Sequence, residues 1–164
     1  MKRYIVTVLA ALILFAATSH SAAYASPVTP AQNRTVARTI QLVNQRRAEA
    51  GLKPMVANAV LMAEAQRFSA VQAKIGGVSH RGIDGTNAGQ RLTRAGYRWA
   101  FYGENLAAGQ ETPEAVVAAW MRSPTHRAII LHSRPTQIGI GHTYKANDPA
   151  RFIDYWVMEV GRPR

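Results

Sequence analysis

The 164-residue chain has no cysteine, which excludes disulfide staples, thiol chemistry and every cysteine-ligated metal site. Acid is scarce: nine Asp and Glu stand against twenty Lys and Arg, giving a formal charge of +11. After residue 25 no apolar run approaches the roughly 20 residues needed to span a bilayer, because charges interrupt every hydrophobic segment. Internal repeats, low-complexity segments and base-stacking motifs are also missing, so the charge excess does not by itself point to nucleic acid.

What is present begins with an export signal. Lys2 and Arg3 precede an apolar core from Ile5 to Ala17, and Ala23-Tyr24-Ala25 has the A-x-A pattern of a cleavage site. An uncleaved anchor is the alternative. The expected organisation is a signal over 1–25, a flexible leader over 26–34, one domain over 35–161 and a tail over 162–164. The mature chain is then secreted or periplasmic, and loss of Lys2 and Arg3 lowers its charge from +11 to +9. Its length suits a single domain with a real core, expected to be monomeric. Sixteen of the twenty cations are arginine, the better residue for bidentate contact with phosphate or carboxylate. For an exported chain the matching partners are anionic wall polymers, lipid headgroups or DNA outside the cell. The densest basic cluster, Arg91, Arg94 and Arg98, reads as solvated surface.

Periodicity predicts a helix over Thr35 to Ala50, with Val36, Ile40 and Val43 inward and Arg46, Arg47 and Glu49 elsewhere. Gly51 and Pro54 end it. A second helix runs from an Asn58 cap to Ile75, burying Leu61, Ala65 and Phe68, and stops at Gly76-Gly77. Val78 to Ala88 is a polar loop with an Asp84-Gly85 turn. A short helix over Ala88 to Ala95 and a strand within Tyr97–Gly109 follow. Thr112-Pro113-Glu114 opens a helix, and Ser123-Pro124 opens a shorter one ending near Leu131, with His126 in its first turn. Thr136–Tyr144 and Arg151–Val160 form a hairpin around Asn147-Asp148-Pro149. In its first strand Ile138, Ile140 and His142 share one face. Gly139 and Gly141 share the other, which implies a very close neighbour there. The second strand, Phe152, Trp156, Met158 and Val160 against Ile153, Tyr155 and Val157, is apolar on both faces and must be covered on both. Helices early and a doubly buried sheet late predict an α+β sandwich, α-β-α in three layers.

Three separated segments carry acid–base groups: Ser79-His80-Arg81, Gly103-Glu104-Asn105-Leu106 and Ser123-Pro124-Thr125-His126-Arg127. Only the fold can bring them together. A helix N-terminus lowers the pKa of His126 and favours neutral imidazole, the form a metal or general base requires. Glu104 in a mostly apolar strand needs a partner: a histidine, an arginine, backbone amides or a metal. The plain alternatives are a capping His126 and an exposed His80. Asn105 reads as a structural turn residue. His142 reads as a satisfied core histidine, Trp120, Trp156 and Tyr155 as core aromatics, and His132 has no supporting context. Glu159 at the strand end is expected to reach solvent.

These segments, together with Leu42-Val43-Asn44-Gln45-Arg46-Arg47, Trp120-Met121-Arg122 and Ile138-Gly139-Ile140-Gly141, stand in the order found in bacterial CAP domains. The chain thereby resembles the superfamily of cysteine-rich secretory, antigen-5 and pathogenesis-related plant proteins, also called the SCP domain, from about Thr35 to Gly161. The resemblance implies a three-layer α-β-α sandwich and a central cleft with two histidines, matched by His80 and His126, and a glutamate matched by Glu104. A second family glutamate falls on Ser123 here. Some members hold zinc or another divalent cation in the cleft, which would make His80, His126 and Glu104 the metal ligands and candidate catalytic groups. The implied ligands are lipid, sterol or wall-associated.

Two other classes compete with a ligand-binding cleft. A metal-dependent hydrolase would use the same three groups to activate water, but the chain has no HExxH pair and no second carboxylate suggests itself as base. A basic adhesion module would use the surface and leave the cleft idle. Gly77-Val78-Ser79-His80-Arg81 fails the serine-hydrolase G-x-S-x-G elbow.

Overall fold

The computed structural model describes residues 30–164, with side chains from residue 33. The expected signal over 1–25 lies outside the described residues. In chain order the elements are α1 Pro30–Glu49, β1 Val56–Ala57, α2 Ala59–Ile75, α3 Ala88–Arg94, β2 Trp99–Ala108, α4 Pro113–Arg122, α5 Pro124–Ile130, β3 Gln137–Tyr144 and β4 Asp154–Pro163. Helix α1 starts at Pro30 rather than Thr35, so residues 30–34 of the expected leader are helical.

The sheet order is β1-β3-β4-β2, with β1 parallel to β3 and the remaining pairs antiparallel. Two-residue β1 has no periodicity to betray it in the sequence. It forms because Asn44 clamps the preceding residue: its Nδ2 donates to the Met55 carbonyl and its Oδ1 accepts from the Met55 amide, both at 2.9 Å.

Helices α1, α4 and α5 cover one face of the sheet. Val43, Val117, Trp120 and Ile130 pack there on Ile138, Ile140, Trp156 and Met158. Helix α2 covers the other face, where Ala65 and Phe68 meet Leu106 and Val157. Leu92 of α3 joins Leu61 and Tyr97 beside them. This is the α-β-α sandwich the patterning predicts. Strand β4 is buried from Asp154 to Gly161, as apolarity on both faces requires. Each large side chain enclosed this way stabilises by about 1.5–3 kcal/mol. The strand begins later than expected, and Phe152 lies outside it, 41% exposed.

Gly139 and Gly141 explain how α2 comes so close. A Cβ on Gly139 would lie 2.2 Å from the Leu61 carbonyl carbon, and one on Gly141 would lie 2.1 Å from the Ala65 carbonyl oxygen. The helix backbone rests directly on the strand. Its ends form as predicted: Asn58 accepts from the Val60 and Leu61 amides, and Gly76 closes the helix at φ 68°.

Two arginines correct the surface expectation. Arg47, expected away from the inner face of α1, is 2% exposed. It donates to the carbonyls of Lys53, Ile130 and His132 at 3.0, 2.7 and 2.8 Å, tying the end of α1 to the segment after α5. Desolvation lowers its pKa, yet three carbonyl acceptors hold the guanidinium in place. Arg91 of the supposed solvated cluster is also 2% exposed.

Candidate site around His80, Glu104 and His126

Gly76 closes α2 in the left-handed conformation, and the loop that follows brings His80 against Glu104 of β2. On β2, Glu104 and Leu106 point toward α2, whereas Asn105 points the opposite way, toward α5. His80 Nδ1 lies 2.7 Å from Glu104 Oε1. The Glu104 side chain is 3% exposed and that of His80 62% exposed, so the acid is the buried anchor and the imidazole the accessible group. With Nδ1 held, Nε2 is the nitrogen left for a ligand.

The hydrogen bond to Glu104 raises the pKa of His80, more than burial and the nearby Arg91 charge lower it. His126, half-buried in the first turn of α5, shifts the opposite way through burial and repulsion from His80. Asn105 sets the position of α5: its Nδ2 donates to the His126 carbonyl at 2.9 Å, so its role is structural, though its partner is a helix carbonyl.

Behind the accessible histidines lies a charged network that sequence reasoning missed. The second oxygen of Glu104 accepts from Arg91 Nη2. Arg91 Nη1 donates to the carbonyls of His80 and Thr86, each at 3.1 Å, and Nε lies 3.3 Å from Glu64 Oε1. The guanidinium carbon sits 3.5 Å from the centre of the Phe68 ring, a cation–π contact in a desolvated place. Glu64, 4% exposed, is held bidentately by Arg67 at 2.7 and 2.8 Å.

Glu159 corrects two expectations. It does not reach solvent but is fully buried, directly opposite Glu104 across the β2–β4 ladder. A second carboxylate therefore does stand beside the site. Burial first, then the Glu104 charge, raise its pKa well above the usual carboxylate range. Arg91 Nη2 is 3.7 Å away, and neither Glu159 oxygen has a hydrogen-bond partner as an ionised group. A proton on Glu159 resolves that, because the acid can then donate to Glu104. The signal was in the sequence: Tyr155, Val157 and Glu159 alternate on one face of β4.

A zinc ion bound by His80, Glu104 and His126 together does not fit these residues. One Glu104 oxygen is engaged by His80 and the other by a cation. Among the described residues no set of three or more His, Asp and Glu side chains is disposed to hold a metal ion.

Outside the site, His142 is buried but only half satisfied: Nε2 lies 2.7 Å from Asp154 and the ring stacks on Trp156 at 4.0 Å, while Nδ1 has no hydrogen-bond partner. The His132 ring lies against Phe101, with centroids 4.4 Å apart and planes tilted by 35°. Ser123 precedes α5, its hydroxyl 3.1 Å from that of Thr125 rather than on a helix amide.

Comparison with known proteins agrees with this architecture. Uncharacterized protein YkwD of Bacillus subtilis (strain 168) is 33% identical over 105 residues, covering 64% of this chain and 41% of YkwD. The chain thus spans less than half of that curated relative. An extracellular protein containing an SCP domain from Bacillus anthracis superposes with a TM-score of 0.72 at 22% identity, over 84% of this chain and 45% of that one. An outer surface protein of Borrelia burgdorferi superposes with a TM-score of 0.69 at 22% identity, over 76% of this chain and 90% of that one. The family model for the cysteine-rich secretory protein (CAP) family matches residues 40–160, and the chain, without a single cysteine, belongs to that family.

Proposed function

We propose that this chain is an exported ligand-binding module whose contact groups are the imidazoles of His80 and His126, and whose ligand presents an anionic group such as a lipid-headgroup or wall-polymer phosphate. The observation that carries this reading is the Glu104 bond to His80 Nδ1, which leaves Nε2 exposed on an imidazole biased toward its protonated, donating form. The basic chain attracts such a ligand electrostatically. The descriptions of the two superposing proteins as extracellular and outer-surface support a location outside the cytoplasm. Among the described residues no helix is long and apolar enough to cross a membrane.

The test is binding of the mature chain to anionic phospholipid vesicles and to insoluble wall polymer, with His80→Ala and His126→Ala as variants. Loss of one charge-assisted hydrogen bond weakens binding by about tenfold or more. Binding that survives both substitutions but collapses with added salt points instead to a basic-surface module.

A second reading, acid–base hydrolysis, would pair His80, whose bond to Glu104 favours its protonated form, with His126, whose burial favours its neutral form. Such a split assigns an acid, His80, and a base, His126. Under that reading both alanine variants abolish turnover of an ester or amide substrate that the wild type cleaves.

A further inference from the structure

Arg91 sits where three carboxylates converge from three elements: Glu64 from α2, Glu104 from β2 and Glu159 from β4. It also reinforces the direct Glu104–His80 bond, because one guanidinium holds both the Glu104 carboxylate and the His80 main-chain carbonyl. We propose that Arg91 is the resident cation of this site: its guanidinium takes the place a metal ion would need among these carboxylates, and it positions His80 through Glu104 and through the His80 backbone. Its importance for ligand binding rests on the reading of His80 as a contact group.

The chemistry of the donor set supports this. Three acids around a buried point are a hard-cation environment, and hard divalent cations are selected by oxygen ligands. A guanidinium can fill that place only if its planar fork meets several acceptors at once. Arg91 does so with the Glu104 carboxylate and the His80 and Thr86 carbonyls, while its flat face rests on Phe68. Charge also balances. Arg67 answers Glu64 and Arg91 answers Glu104, while the buried Glu159 stands farther off, 3.7 Å from Arg91 Nη2. A divalent ion added to this arrangement would meet a cation already in possession.

The test uses the full mature chain and no ligand, so it is independent of the binding assays. Thermal unfolding is followed for wild type, Arg91→Ala and Arg91→Lys in EDTA, then with millimolar Mn²⁺ or methylguanidinium. The wild-type midpoint is expected not to move with Mn²⁺. Arg91→Ala is expected to melt about 5 °C or more lower and to recover much of that loss with either cation, while Mn²⁺ broadens the NMR signal of its His80 imidazole. Arg91→Lys should be intermediate, because a point charge lacks the fork. The proposal is overturned if Mn²⁺ stabilises wild type as much as the variant, or if folded Arg91→Ala gains nothing from either cation. Should Arg91→Ala not fold, wild type decides: sharp His80 and Phe68 signals at equimolar Mn²⁺ support the assignment, and broadened ones refute it. Loss of vesicle or wall binding in His80→Ala addresses the function and leaves this result untouched.

Discussion

Glu104 on β2 and Glu159 on β4 are cross-strand partners on the face under α2, and both are buried. Adjacent buried carboxyl groups do not both ionise. Glu104 has His80 and Arg91 to stabilise its charge, and Glu159 has only a more distant guanidinium. Glu159 is therefore expected to remain protonated at neutral pH, which carboxyl-carbon NMR titration of the wild type can measure. Glu159→Gln should cost less than about 1 kcal/mol, since one neutral hydrogen-bond donor replaces another. A carboxyl that titrates with the surface glutamates would contradict this.

Glu104→Gln should move the His80 pKa down toward its ordinary value, because a neutral amide acceptor replaces the carboxylate that favours the imidazolium. The stability cost should fall below the roughly 3–5 kcal/mol of an orphaned buried charge. Removing the anionic neighbour should also lower the Glu159 pKa, although burial, the larger cause of its rise, remains. Histidine NMR and urea unfolding read the two effects separately.

His80 and His126 should give opposite contributions to stability across pH 5–8. His80 has a raised folded-state pKa, so its contribution is complete below the unfolded value of about 6.5 and is lost as pH rises through the folded value. His126 has a lowered folded-state pKa, so its contribution is present above about 6.5 and is lost as pH falls through the folded value. Denaturant midpoints for His80→Gln and His126→Gln, compared with wild type at each pH, should show slopes of opposite sign.

Gly139→Ala and Gly141→Ala should each destabilise by about 3 kcal/mol or prevent folding, since the clash is with the backbone of α2 rather than a movable side chain. Gly77→Ala, with open space around its position, serves as a control expected to lie within about 0.5 kcal/mol of wild type. Equilibrium urea unfolding of the three variants checks both expectations.

Trp120→Ala should cost about 3–5 kcal/mol. The indole is 1% exposed among α1, α4 and the sheet, and its Nε1 donates to the Leu106 carbonyl at 3.1 Å. Trp120→Phe retains most of the packing but orphans that carbonyl, and its cost, measured the same way, should be intermediate.

Local chemistry determined much of this protein directly from its sequence. Asn58 and Gly76 bound α2 because capping and left-handed closure are properties of a few adjacent residues. The Gly139–Gly141 alternation announced a close helix, and the apolar alternation of β4 announced a sheet covered on both sides. The resemblance in motif order singled out His80, Glu104 and His126. Only the tertiary structure decided what surrounds them. Arg91 and Arg47 look like solvated cations in any local window, and Glu159 looks like a strand-end acid. Whether a charge is buried depends on which partners arrive from distant elements, and Glu64, Glu104 and Glu159 reach Arg91 from α2, β2 and β4. Periodicity reports which face a residue takes; it carries no record of the opposite charge that makes burial there tolerable.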